Sequence, residues 1–169
     1  MQETIPQYVH RIMGKVGDHN PMKVQAATAP KLARLLKKSS PTKLRKRPAP
    51  GKWSPAEIVA HLADVEIVIS WRVRSILAAP GTPVQAYDQD AWVVSGHYEK
   101  RDPRKCLEQF RILRDTNLAL YKTLTPEQWK LSGLHSERGQ ETVEHIVRML
   151  AGHDLNHLEQ IDQILSPKK

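Results

Sequence analysis

The chain has 169 residues, one cysteine and a formal net charge of +8, a length suited to a single domain. Hydrophobic residues make 40% and charged residues 26%, the mix of a globular protein that needs no disulfide support, and the lone Cys106 excludes an intrachain disulfide framework or a Cys-based zinc finger. No apolar run is long enough to span a bilayer, and the first residues lack the basic start and apolar stretch of a secretory signal, so a cytoplasmic protein without membrane segments is expected.

In chain order, the first expected element is a short helix over Ile5–Val16, stopped by Gly17-Asp18, so that residues 1–20 read as an N-terminal extension. Asn20-Pro21 supplies a cap and a first-turn proline for the first long helix. Leu32, Leu35 and Leu36 give it an apolar edge before Ser39-Ser40-Pro41 ends it. The positive charge is concentrated here: residues 1–52 carry a balance of +10 and residues 53–169 a balance of −2. Its densest stretch, Lys43-Leu44-Arg45-Lys46-Arg47, lies in the basic segment 37–47 between proline-rich breakers and has no interleaved aromatics for base stacking. It reads as a solvated connector, and nucleic acid is not expected as a partner.

Ser54-Pro55-Ala56-Glu57 is a capping box with proline at the first helical position. Ile58, Leu62, Val65, Ile69, Val73 and Ile76 then recur at helical spacing until Ala79-Pro80-Gly81, giving a second long helix of about six turns, roughly 35 Å. Asp102-Pro103 opens the third, with Leu107, Phe110, Leu113, Asn117, Leu120 and Leu124 on its stripe. Thr125-Pro126-Glu127-Gln128 starts a short helical turn, Gly133 to Gly139 reads as a loop, and Thr142 caps a fourth long helix closed by Ser166-Pro167. No strand alternation of useful length competes. The fold class is therefore all-α: a four-helix bundle with a long crossover between helices two and three, in one domain over 1–169. Residues 80–101 are long for a bundle loop and can run the length of a 35 Å helix, so helices two and three are expected to be parallel. Within that loop Tyr87–Trp92 is a candidate lid, or equally a segment that only packs on the core.

His153 and His157 lie four apart on the apolar stripe of the last helix, about 6 Å along one face. His61 falls between Ile58 and Val65 on the inward stripe of another helix. Three inward imidazoles are costly to bury unpaired, and three histidine ligands with an open position suit a catalytic divalent-metal site. His145 is rotated off the face of His153 and His157. His135, in its loop, and His10, His19 and His97, in polar contexts, read as structural or exposed.

Three segments carry a resemblance: Trp53–Asp64 (WSPAEIVAHLAD), Gly133–Gly139 (GLHSERG) and Gly152–Ile161 (GHDLNHLEQI). Together they resemble the DinB-like (DinB/YfiT-like) superfamily over nearly the whole chain. The resemblance implies a four-helix bundle with a long crossover and a divalent ion, zinc or nickel, held by His61, His153 and His157. It also implies a small-molecule substrate and, as in some members, a low-molecular-weight thiol as co-substrate. The function expected is a metal-dependent enzyme, of thiol-dependent transferase or hydrolase type, that activates a thiol or a water. The alternative is a non-catalytic, metal-stabilised binding or stress-response module.

Asp64, one turn after His61, is the candidate to orient that imidazole. Glu57 is explained by its capping box, Gln160 lines the pocket or closes the core, and Cys106 reads as inert without a placed base. Trp71, Val68 and Leu77 add apolar area beside the main stripe of helix two, and with the family's habit they point to a homodimer.

Overall fold

The computed structural model describes residues 3–166. Every α-helix within them begins on a Ser, Thr, Asn or Asp whose side chain accepts a backbone N–H of the first turn: Thr4, Asn20, Ser40, Ser54, Asp88, Asp102, Thr125 and Thr142. These caps satisfy donors that a helix start otherwise leaves open, which is why the starts at Asn20, Ser54, Asp102, Thr125 and Thr142 were legible in the sequence, whereas the short helices opened by Ser40 and Asp88 were not expected. The helices are α1 (Ile5–Val16), α2 (Pro21–Lys37), α3 (Pro41–Arg45), α4 (Pro55–Ala78), α5 (Gln89–Ser95), α6 (Pro103–Tyr121), α7 (Pro126–Lys130) and α8 (Val143–Leu165). Pro167, half of the expected stop after α8, lies outside the described residues. Among the described residues no helix is long and apolar enough to cross a membrane.

Helices α2, α4, α6 and α8 form the bundle. Helix α4 packs on α6 and α8, and α2 packs on α8 and α6. One apolar cluster joins the start of α4 (Ile58, Leu62) to the start of α6 (Phe110) and the end of α8 (Ile161). A second joins the end of α4 (Val73, Ile76) to the end of α6 (Tyr121) and the start of α8 (Val143). Helices α4 and α6 are therefore parallel, as the length of the crossover predicts, and both run against α2 and α8. Helix α1 lies outside the bundle along α8. Its close approach requires Gly152, where a Cβ would come within 2.1 Å of the Ile12 carbonyl oxygen.

Two expectations need correction. Gly133–Gly139 is not a loop but most of a hairpin, β2 (Ser132–His135) and β3 (Gly139–Thr142), with Gly139 at φ +75 in its turn. The crossover contributes β1 (Pro83–Val84), which pairs parallel to β2, as well as α5 and a 3-10 turn at Tyr98–Lys100. Strands of two to four residues are too short to show an alternation of period two. The basic segment is solvated as expected, with Lys43, Arg45, Lys46 and Arg47 exposed, but it is partly helical and tied to its neighbours. Leu44 of α3 is buried, Arg45 donates to the carbonyls of Glu99 and Arg101, and Arg47 forms an ion pair with Glu57.

Candidate metal centre

The strongly buried first turns of α4 place His61 inside the bundle, 1% exposed, and α8 brings His153 and His157 against it. The Nε2 atom of His153 lies 3.1 Å from Nε2 of His61 and 3.1 Å from Nε2 of His157. One ring nitrogen from each of the three falls within 4.8 Å of the others. Nitrogens about 2.0 Å from one tetrahedral ion sit about 3.3 Å apart, so the cluster fits a shared divalent cation with little adjustment.

Protonation supports the fit. Burial, and then His157, push His61 down to about 3. Burial pushes His157 down to about 4, against a smaller opposing effect of Gln160, and burial holds His153 well below the ordinary histidine range. All three rings are neutral at ordinary pH and have lone pairs to offer. Gln160 Oε1 lies 2.9 Å from His157 Nδ1, where it accepts that N–H and leaves Nε2 as the acceptor nitrogen. Hydrogen bonds alone cannot satisfy the cluster, because His153 Nε2 faces two imidazoles and holds at most one proton. His153 Nδ1 is buried without a partner.

Among the described residues the hydrogen bonds of Asp64 go to the crossover and not to His61. Its Oδ2 accepts from the Tyr98 hydroxyl at 2.6 Å and from Arg101 at 2.7 Å, tying α4 to the crossover. Gln160 performs the orienting role instead, on a different histidine. Glu57 is the cap that the sequence indicates. Cys106 is buried, and burial raises its thiol pKa. His145 lies 3.7 Å from Glu141, away from the cluster, and His10, His19 and His97 are exposed.

His153 is the partly exposed member of the three, and it lines a cavity of about 410 Å³. Sequence reasoning missed most of the other lining. Tyr8 comes from α1, Arg72 from the far end of α4, Tyr87 from the crossover, and His135, Arg138 and Glu141 from the hairpin and its turn. The rings of Tyr87 and Trp92 meet at 4.8 Å, tilted by 49°, and Tyr87, Asp88 and Gln89 of the candidate lid segment line the cavity. Arg72 carried a signal, since it continues the face of His61 as a charged residue near apolar positions, and His135 and Arg138 lie in the GLHSERG segment that carries the resemblance.

The sequence profile of the DinB superfamily matches residues 26–161. A protein of Oceanobacillus iheyensis, provisionally named a metal-dependent hydrolase, is 27% identical over 69% of this chain and 66% of its own length. YfiT of Bacillus subtilis, provisionally named in the same way, is 26% identical over 68% of this chain and 65% of its own length. The chain thus spans just under two thirds of both relatives. The solved structure of Bacillus subtilis YfiT, described as having an unusual four-helix bundle topology, superposes with a TM-score of 0.76 at 22% identity. It covers 96% of this chain and 89% of that one.

Proposed function

The chain belongs to the DinB superfamily, and from that premise we propose that it is a metal-dependent hydrolase acting on a small molecule, with His61, His153 and His157 as the ligands of a divalent ion, zinc or nickel. The observation that carries this reading is the convergence of three neutral imidazole nitrogens within 4.8 Å, beside a cavity that reaches them at His153. His61, His153 and His157 would hold a divalent ion there, which would supply Lewis acidity to activate a water and polarise the bond under attack.

The chain's own residues do the positioning. Gln160 fixes the ring of His157, and the packing of α4 against α8 sets His61 opposite the other two. If the nucleophile is a thiol rather than a water, it enters with a co-substrate, because Cys106 is buried and its thiol pKa is raised. The naming of both relatives as hydrolases favours water. We propose in addition that the chain forms a homodimer through the outer face of α4, where Trp71 is 74% and Ile67 47% exposed. Sedimentation at micromolar protein tests this, and a mass near 19.2 kDa would reject it.

Elemental analysis of untagged protein purified without added metal tests the centre. Near-stoichiometric zinc or nickel is expected in the wild type and its loss in His157→Ala. Equal metal in both, or none in either, would overturn the assignment. Turnover of a panel of small esters and amides that disappears with a chelator and returns with the ion would support hydrolysis.

A further inference from the structure

The cavity beside His153 has a second end. Arg72 follows His61 by eleven positions on α4, about 16 Å along the axis and within about 20° of the same face. Its side chain is almost fully buried, 6% exposed, and it lines the cavity. One N–H donates to the Gln85 carbonyl at 2.5 Å, and its guanidinium lies 5.8 Å from the Tyr87 ring centre. Among the described residues no carboxylate pairs with it. The nearby Arg138 is different, since Glu141 holds it in a two-pronged ion pair at 2.7 and 2.9 Å.

His135 stands next to this cation. Its strand partner in β1 is Val84, the neighbour of the Gln85 that receives the Arg72 bond. His135 is 2% exposed. Its Nδ1 accepts the backbone N–H groups of Glu137 and Arg138 at 3.2 and 3.3 Å, which places its proton on Nε2. That Nε2–H is buried and has no partner among the described residues. An unpaired buried cation and an unpaired buried donor on one cavity are both costly to maintain in a folded protein. Both costs fall if an anion sits between them.

We propose that Arg72 and His135 form an anion-recognition end of the cavity, which binds a carboxylate or phosphate group of the substrate. The reacting bond of that molecule then lies toward the three histidines. The substrate class inferred is an elongated small acid whose charged group is separated from the bond that is cleaved. Calling the ligand a substrate rests on the metalloenzyme reading above, whereas the anion site itself does not. Burial, and then Arg138, push the Arg72 guanidinium below its ordinary pKa against smaller opposing effects of Tyr87, Glu141 and Glu137, so an incoming anion relieves a stressed charge. Arg–phosphate and Arg–carboxylate pairs of this kind are the stronger class of hydrogen bond.

The test is a titration of the purified full chain with inorganic phosphate, and separately with acetate, at ionic strength held constant with chloride. The readout is the ¹⁵N resonance of His135 Nε2. A saturable shift with phosphate, acetate or both supports the site and shows which acid it prefers. Arg72→Gln is expected to weaken that binding by about tenfold or more, and Arg72→Lys, which keeps the charge but not the fork, to weaken it less. The lysine variant carries the comparison if the glutamine variant does not fold. No shift with either anion, or an equal shift in wild type and variant, overturns the proposal. The titration is repeated in His157→Ala: a shift that persists there shows that the anion binds without the intact histidine cluster, and if elemental analysis finds no metal in the wild type or equal metal in both proteins, the anion site stands and the metal centre is the failed part.

Discussion

Asp154 adjoins His153 in sequence, yet its carboxylate is bound to Arg114, which donates to Oδ2 at 2.5 Å and to Oδ1 at 3.0 Å. The same guanidinium reaches Glu66 at 2.7 Å, and all three side chains are at most 2% exposed. Thr28 donates to Asp154, Asn117 donates to Glu66, and Arg114 also donates to the Gln25 carbonyl. This polar layer takes a member from each bundle helix and separates the two apolar clusters. It fixes the register of α8 against α4, and with it the distance from His153 to His61.

Arg114→Met should therefore be severe, since two carboxylates stay buried without their counter-charge, a loss of about 3–5 kcal/mol. Replacing the layer together (Glu66→Leu, Arg114→Met, Asp154→Leu) should recover most of that loss or exceed the wild type, because no buried charge remains. Urea midpoints with unchanged slopes check both. A triple variant less stable than Arg114→Met alone would contradict this account.

Removing the ion should lower the melting temperature without unfolding the chain at room temperature. A ligand present at a thousandfold excess over its dissociation constant adds about 4 kcal/mol to the folded state. The two apolar clusters exist without it. Circular dichroism before and after chelation checks this: equal melting temperatures would mean that no ion bridges α4 and α8.

Gln160→Leu should weaken metal binding by about 10- to 100-fold while leaving the three histidines in place, because His157 loses the acceptor that holds its ring. Competition against a chromophoric chelator measures it. An unchanged affinity would show that packing alone orients His157.

Acid should destabilise the metal-free protein before its carboxylates titrate. His61 and His157 have folded values near 3 and near 4 against an ordinary 6.5. Below pH 6.5 the unfolded chain takes up protons that the folded chain refuses, so stability falls as pH drops through 6.5 and toward 4. Glu57 and Glu141, with folded values lowered from 4.5, add their losses only below that value. Urea midpoints of chelated protein at pH 7.5, 6 and 5 should decrease steadily, and a flat profile would count against neutral buried imidazoles.

Gly152→Ala should displace α1, since the new methyl meets the Ile12 carbonyl oxygen at 2.1 Å and that backbone cannot yield without moving the helix. The cost is about 1–3 kcal/mol. Amide exchange should quicken across Ile5–Val16 and remain unchanged in α6, and the Tyr8 wall of the cavity should loosen with it. Uniform exchange across the chain would indicate global destabilisation instead.

The boundaries of the long helices and the three-histidine cluster were legible because their signals are local. A capping side chain, a proline at the first turn and a repeat of 3.6 residues are all written within a few positions of one another. His153 and His157 announce themselves by spacing, and His61 by its place on an apolar stripe. The hairpin, the Arg114 layer and the far end of the cavity were not legible. In the sequence Glu66, Arg114 and Asp154 are three charged residues on three helices, and ordinary expectation places such residues in solvent. They are buried because the fold lets each neutralise another, a condition that exists only once α4, α6 and α8 are packed. Asp64 shows the same limit in reverse. One turn from His61, it looked like that ring's partner, but side chains in contact are chosen by the packed helices, and the crossover delivered Tyr98 and Arg101 to it first.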